Sequence, residues 1–161
     1  MLKSPLLLLT YLCLAAGVWG QEQPGQLPQI FVLGEYETAH MQVDSEYTQS
    51  LLTVSNQDLV TAQRSWLAFL SSMEDYAHKT RFPLDGVKLY LHVYCDASGA
   101  ITHLGFLPLA NSRPLPRKAL LAFFSSFTRN NDFPQSPGQP FKYNSKVNFP
   151  VFSHLADRGQ Q

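Results

Sequence analysis

Cysteine is scarce in this chain, which contains only Cys13 and Cys95. Cys13 lies in an apolar stretch near the N terminus and follows the bulky Tyr11 and Leu12, whereas a lipid-modified cysteine follows small residues. If that stretch is removed, Cys95 has no partner, which excludes an internal disulfide. We therefore expect a hydrophobic core, rather than disulfide bonds, to stabilise the fold.

Charged residues are also few, at 15% of the total, and the net charge is zero because twelve basic residues balance twelve acidic ones. Such a chain lacks the basic surface by which proteins bind nucleic acid or anionic lipid. Its content of 45% hydrophobic and 12% aromatic residues excludes a largely disordered protein. These values predict one ordinary globular domain whose partner is not nucleic acid.

Long apolar runs are confined to the N terminus, where one extends over about residues 6–18. This run is shorter than the roughly 20 residues of a membrane-spanning helix. Lys3 precedes it and Gly20 precedes a polar stretch, which is the pattern of a cleavable signal peptide over residues 1–20. The sequence predicts an exported protein without a stable membrane span, in the periplasm or alternatively outside the cell. A retained membrane anchor is the other alternative.

Apolar periodicity predicts two amphipathic helices. The first spans about residues 56–78 with Ser55 as its N-cap, and the second starts at Pro116 and stops near Asn130. Residues 21–54 are interpreted as a leader and an irregular segment, in which residues 30–33 are a candidate small strand and residues 38–54 have no clear period, and residues 153–161 as a flexible tail. The predicted core positions are Leu59, Ala62, Trp66, Phe69, Leu70, Met73 and Tyr76 in the first helix, and Leu120, Phe123, Phe124 and Phe127 in the second.

A β-hairpin is predicted between the helices, where alternating strands flank the sequence DASG. Asp96 and Gly99 suit a type I turn followed by a glycine bulge, because aspartate favours the first turn position and glycine tolerates positive φ. This turn fixes the register of the two strands. The predicted pairs are Cys95 with Ile101, Val93 with His103, and His92 with Leu104.

Cys95, Asp96 and His103 are close in the sequence, but the hairpin argues against a catalytic role. Cys95 would point into the apolar face, where a thiol has a raised pKa, and Asp96 would be engaged by the turn. A two-residue turn would instead set His92 opposite His103 as metal ligands, although no third ligand is evident. Without a carboxylate pair, nucleophile motif or phosphate-binding loop, we expect neither an enzyme nor a cofactor or metal site.

The clearest alternation of apolar and polar residues predicts a last strand over residues 141–151. Pro150 cannot donate to a ladder, which places this strand at an edge of the sheet or ends it. We expect the edge to offer backbone donors, Val147 among them, to an extended peptide. Alternatively, Lys142 and Lys146 are charges that protect the edge from unwanted pairing. The predicted partner-binding residues are Lys142, Tyr143, Asn144, Ser145, Lys146, Val147 and Asn148.

The element order over residues 55–152 is helix, strand, strand, helix, strand. It predicts an α+β domain in which a small three-stranded antiparallel sheet carries both helices on one face, after an irregular N-terminal segment. Over about residues 66–152 the pattern resembles the C-terminal domain of TonB-type energy transducers. The positions that carry this resemblance are Gly86, Asp96, Gly99, Ile101, Thr102, Gly138, Pro140, Phe149, Pro150 and Phe152.

The resemblance implies a periplasmic protein-interaction module, linked to outer-membrane transport, whose last strand accepts a segment of an envelope protein. The sequence departs from the family where NDFPQSP replaces the usual tryptophan and proline, and where the anchor and proline-rich linker are missing. The alternative function is a small-ligand-binding domain that uses the outer face of the sheet, covered by residues 30–33. The candidate residues of that face are Tyr90, His92 and Tyr94, together with Leu104 and Phe106.

Overall fold

The computed structural model describes residues 25–151, which form four helices and four strands. None of the helices in this range has the length and apolar character needed to cross a membrane. The predicted signal peptide and C-terminal tail lie outside the described residues. The elements are β1 (Ile30–Val32), α1 (Glu37–Glu46), α2 (Leu51–Val54), α3 (Leu59–Thr80), β2 (Lys88–Cys95), β3 (Ile101–Pro108), α4 (Arg117–Asn130) and β4 (Phe141–Asn148).

The sheet has four strands in the order β1-β3-β2-β4, with β1 parallel to β3 and the other pairs antiparallel. The predicted fold class, with a three-stranded antiparallel sheet and two helices, is therefore wrong, although the α+β character is retained. The short run at residues 30–33 forms β1, but its parallel pairing with β3 was not predicted; there the Phe31 ring lies against Gly105, where a Cβ would stand 2.6 Å from its Cζ atom. A run of three residues is too short to show strand periodicity.

The N-terminal segment was predicted to be irregular. It instead contains the helices α1 and α2, so that prediction is wrong. No residue of α1 is fully buried, and its apolar face is narrow, with Ala39 and Val43 one turn apart. The four-residue α2 is capped by Ser50, whose Oγ accepts a hydrogen bond from the Thr53 N–H at 3.1 Å. Ser55 ends α2 instead of starting the long helix.

The two predicted amphipathic helices are confirmed as α3 and α4. Asp58 caps α3 by accepting hydrogen bonds from the Val60 and Thr61 N–H groups at 2.9 and 3.3 Å. Leu59 is 68% exposed and does not belong to the core face. Both helices pack on one side of the sheet through buried side chains. These are Ala62, Trp66, Phe69, Leu70, Met73 and Ala77 of α3, and Leu120, Phe123, Phe124 and Phe127 of α4.

The hairpin forms around Asp96, whose Oδ1 atom accepts hydrogen bonds from the Ser98 and Ala100 N–H groups at 2.8 and 3.1 Å. Cys95 pairs with Ile101 as predicted, but a β-bulge follows and shifts the rest of β3 by one residue. The pairs predicted beyond Cys95 are therefore wrong. The observed pairs are Tyr94 with His103, Val93 with Leu104, and His92 with Gly105.

The bulge decides which residues of β3 face the helices. Leu104 and Phe106 belong to the main core with α3 and α4, instead of the outer face where they were expected. A second, smaller cluster lies on that outer face, and α1 covers it. Its buried residues are Leu27, Phe31 and Tyr94, and Ala39, Val43 and Tyr47 pack against them.

Candidate functional site

β4 lies at the end of the sheet, as predicted, and its hydrogen bonds alternate between β2 and the outside. The Phe149 N–H donates to the Val87 carbonyl at 2.9 Å, which places odd-numbered residues toward β2. The Lys142 N–H instead donates outward, to the Gln49 carbonyl at 2.9 Å. Even-numbered residues of β4 therefore present their backbone groups to the outside.

The outward backbone groups of Asn144, Lys146 and Asn148 form what we call the open edge. Their N–H groups have no hydrogen-bond partner within residues 25–151. The expectation that Val147 supplies an edge donor is wrong, because its N–H points toward Leu89 on β2. The sequence identifies β4 as an edge but does not indicate on which side of it β2 lies.

The other end of the β4 edge is closed by the chain itself. Ser50 forms an isolated parallel bridge with Lys142, just before α2 begins. Together with the Gln49 carbonyl, this bridge occupies the first outward position of the strand. A further strand therefore has room along Asn144 to Asn148 but is blocked beyond Lys142.

The outer face beside the open edge carries a chain of polar contacts between α1 and the sheet. The Tyr94 hydroxyl donates to Asp44 Oδ1 at 3.0 Å, so His40 Nε2, 2.7 Å away, donates to that hydroxyl in turn. Lys142 Nζ donates to Asp44 Oδ2 at 2.7 Å and to the Asp44 carbonyl at 2.8 Å. These contacts attach α1 to β2 and β4 without a fully buried α1 side chain.

Burial shifts the pKa values of the side chains in and beside this polar network. It lowers the pKa values of His40 and His92 and raises the pKa of Tyr94, which favours the neutral form of each. Burial alone would raise the pKa of Asp44, but hydrogen bonds from Lys142 and Tyr94 hold it below its ordinary value. We therefore expect one negative and one positive charge here at neutral pH, paired with each other.

A groove of about 410 Å³, which we call the α1 groove, opens between α1 and these strands. The predicted residues Tyr90 and His92 are partly exposed, and their rings lie 5.3 Å apart, whereas Tyr94 is 1% exposed beneath α1. His40 and Asp44 were missed because the apolar period of α1 is weak and residues 38–54 were interpreted as irregular. The groove is lined by His40, Met41, Asp44, Ser45, His92, Lys142 and Asn144.

The structure separates the residues once considered for catalysis or metal binding. Cys95 is fully buried on the helix side, where burial raises its pKa, while His103 pairs with Tyr94 on the outer face. His92 lies opposite Gly105, not His103. Within residues 25–151 no group of three or more histidine, cysteine, aspartate or glutamate side chains is arranged to hold a metal ion.

Comparisons of the chain with models of known protein families, with curated proteins and with solved structures gave no match. The TonB resemblance therefore stays a prediction from the sequence.

Proposed function

We propose that this protein is an exported interaction module that binds an extended segment of another cell-envelope protein by strand addition to β4. One observation carries the proposal: three consecutive outward positions of β4, the open edge, have N–H groups without a partner in the described chain. Backbone hydrogen bonds to such an edge supply affinity for an extended peptide, largely independent of its sequence. If the TonB resemblance holds, the segment belongs to an outer-membrane transporter.

The closed end of the strand supports this proposal in a second way. Ser50 already pairs with Lys142 in a strand-like bridge, so the β4 edge has a geometry that accepts a neighbouring chain. Trp66 of α3 packs on Tyr143 of β4, with ring centroids 4.8 Å apart, and the odd-numbered residues of β4 bond to β2. These contacts hold the strand in place from one face and one side, leaving its backbone groups ordered before a partner arrives.

The test compares two substitutions at one position of the open edge. Lys146→Pro removes an outward N–H without touching the β2 ladder, whereas Lys146→Ala removes the charge and keeps the N–H. Heptapeptides selected from a random phage-displayed library against the native protein serve as ligands. We expect binding to fall at least about tenfold in Lys146→Pro and less in Lys146→Ala, since several backbone hydrogen bonds depend on the strand geometry.

The comparison of Lys146→Pro with the native protein also has an outcome that would contradict strand addition. Selected peptides that bind equally to the native protein and to folded Lys146→Pro would place the binding surface elsewhere.

Export has its own test, because the protein purified from the envelope fraction should begin at Gln21, a start that intact-mass measurement identifies.

Binding of a small ligand in the α1 groove is a second candidate function. It is favoured by the groove volume of about 410 Å³ and by His92, whose ring nitrogens have no hydrogen-bond partner among the described residues. A fragment library followed by NMR should shift the His40 and His92 ring signals and leave that of the exposed His78 unchanged. Fragments that move none of the groove signals would exclude this function.

A further inference from the structure

We propose that the segment bound along the open edge carries an acidic side chain opposite Lys146, an inference that rests on the strand-addition function proposed above. Lys146 pairs with Tyr90 and is exposed on the outer face of the sheet. The ion pairs within residues 25–151 are Arg117 with Glu35 and Lys142 with Asp44, so Lys146 has no acidic partner there. Lys142, on the same face of β4, is already neutralised.

Strand geometry places a partner side chain directly beside this free charge. Lys146 directs its N–H and carbonyl outward, so a residue of the added strand pairs with it across two backbone hydrogen bonds. The side chains of such a pair lie on the same face with Cβ atoms about 5 Å apart. Opposite charges at that separation favour pairing, and like charges oppose it.

A second copy of this chain is a poor partner for the open edge, because like charges oppose pairing. In a two-fold antiparallel pair of β4 strands, only the register centred on Lys146 engages all three outward residues of each copy. The neighbouring registers meet Pro150, which has no N–H, or Lys142, whose N–H is bonded to Gln49. The full register sets Lys146 against Lys146, and this repulsion points to a different chain with a carboxylate at that position.

The outward positions on either side of Lys146 give no reason for a second charged residue in the bound segment. Asn144 and Asn148 are exposed amide side chains, and the outer-face position beyond Asn144 is occupied by the neutralised Lys142. Lys88, paired with Asn148, lies diagonally to Lys146 on the same face and adds to the positive potential there. We therefore expect the bound segment to contain one acidic residue, with uncharged residues two positions before and after it.

Three capped heptapeptides test the inference. They have valine at odd positions and threonine at the second and sixth, and differ only at the central residue, which is glutamate, glutamine or lysine. Fluorescence anisotropy with the full chain should show the glutamate peptide binding about threefold more tightly than the glutamine peptide, with the lysine peptide weakest. Lys146→Glu should reverse the order, and the exposed Lys118→Glu, an equal change in net charge, should leave it unchanged.

The outcomes separate this inference from the function on which it rests. Equal binding of the three peptides, lost in Lys146→Pro, would overturn the acidic preference and leave strand addition standing. Binding that persists in folded Lys146→Pro, or no binding of the glutamate peptide at millimolar concentration, would overturn both. An order that does not reverse in Lys146→Glu would assign the preference to another cation and would also overturn the inference.

Discussion

Lys142 Nζ of β4 lies 2.7 Å from Asp44 Oδ2 of α1, and this ion pair attaches a helix without fully buried residues to the edge strand. The side chains of Lys142 and Asp44 are 31% and 45% exposed, so solvent screens the attraction. The pair therefore positions α1 more than it stabilises the whole fold. It also joins the α1 groove to the strand that carries the open edge.

Lys142→Ala should loosen α1 while leaving the rest of the fold intact. We expect a loss of at most about 1 kcal/mol in the free energy of unfolding, since partly exposed ion pairs contribute little. Hydrogen exchange should accelerate over Glu37–Glu46 and stay unchanged over Leu59–Thr80. Lys118→Ala, at an exposed position of α4, is the matched control. Unchanged exchange in α1 would show that the ion pair does not hold the helix.

Three partly buried histidines should make the fold less stable in mild acid. Burial lowers the pKa values of His40, His92 and His103 below their ordinary value of 6.5, so the unfolded chain binds protons more readily than the folded one. Their contribution is complete above about pH 6.5 and is lost as the pH falls below it. Urea unfolding should therefore show a lower free energy at about pH 5.5 than at about pH 7.5.

Substitution distinguishes this histidine effect from other acid effects. His92→Gln should reduce the difference between the two pH values, because it removes one group that unfolding exposes to protonation. His78→Gln, at an exposed position of α3, is the control. A fold that is equally stable at both pH values would contradict the expected direction.

Gly105→Ala should destabilise the sheet where β1 joins it. A Cβ at Gly105 would stand 2.6 Å from Phe31 Cζ and 2.8 Å from Leu33 Cδ2, both closer than real contacts allow. We expect a cost of about 1–3 kcal/mol, as for other overpacked sites. Thermal or urea unfolding measures it. Phe31→Ala alone should also destabilise, but in combination with Gly105→Ala the two losses should fall short of their sum, and strict additivity would refute the contact.

Cys95 should be unreactive in the folded protein. The thiol is fully buried, and burial raises its pKa, so little thiolate forms and reagents cannot reach it. In the chain that starts at residue 21, Cys95 is the remaining cysteine, and Ellman's reagent therefore reports on it alone. The reaction should accelerate with urea in parallel with unfolding. Rapid labelling of the native protein would mean that the hairpin opens locally.

The sequence predicts those elements that bury a complete face. Phe123, Phe124 and Phe127 repeat with the period of a helix, and Leu89, Leu91 and Val93 alternate as in a strand, because each set enters the main core. The α1 helix leaves only a weak signal, since it contacts the sheet through polar side chains such as His40 and Asp44 as well as through Ala39 and Val43. The predicted sheet topology was wrong because the parallel pairing of β1 with β3 and the position of α1 depend on tertiary contacts that no local pattern encodes.

The bulge after Cys95 had no recognisable sequence signal. Thr102 stabilises the distorted strand by donating its hydroxyl hydrogen to the Tyr94 carbonyl at 3.0 Å, a contact that no turn rule predicts. Pro150 predicted that β4 lies at an edge or ends near the proline, and both are observed, but the direction of each N–H depends on which side β2 occupies. The alternation of side chains alone does not determine that side.

The two edges of the sheet differ in length and in availability. β1 contributes three residues, and its Val32 carbonyl accepts a hydrogen bond from the Glu35 N–H at 3.2 Å, whereas β4 contributes eight residues with the open edge. A fibre of stacked sheets requires an accepting edge on both sides of every molecule. Because β1 is short and the outward carbonyl of Val32 is already bonded, we expect a strand added at β4 to leave a poor edge for a next molecule, which disfavours polymerisation through this sheet.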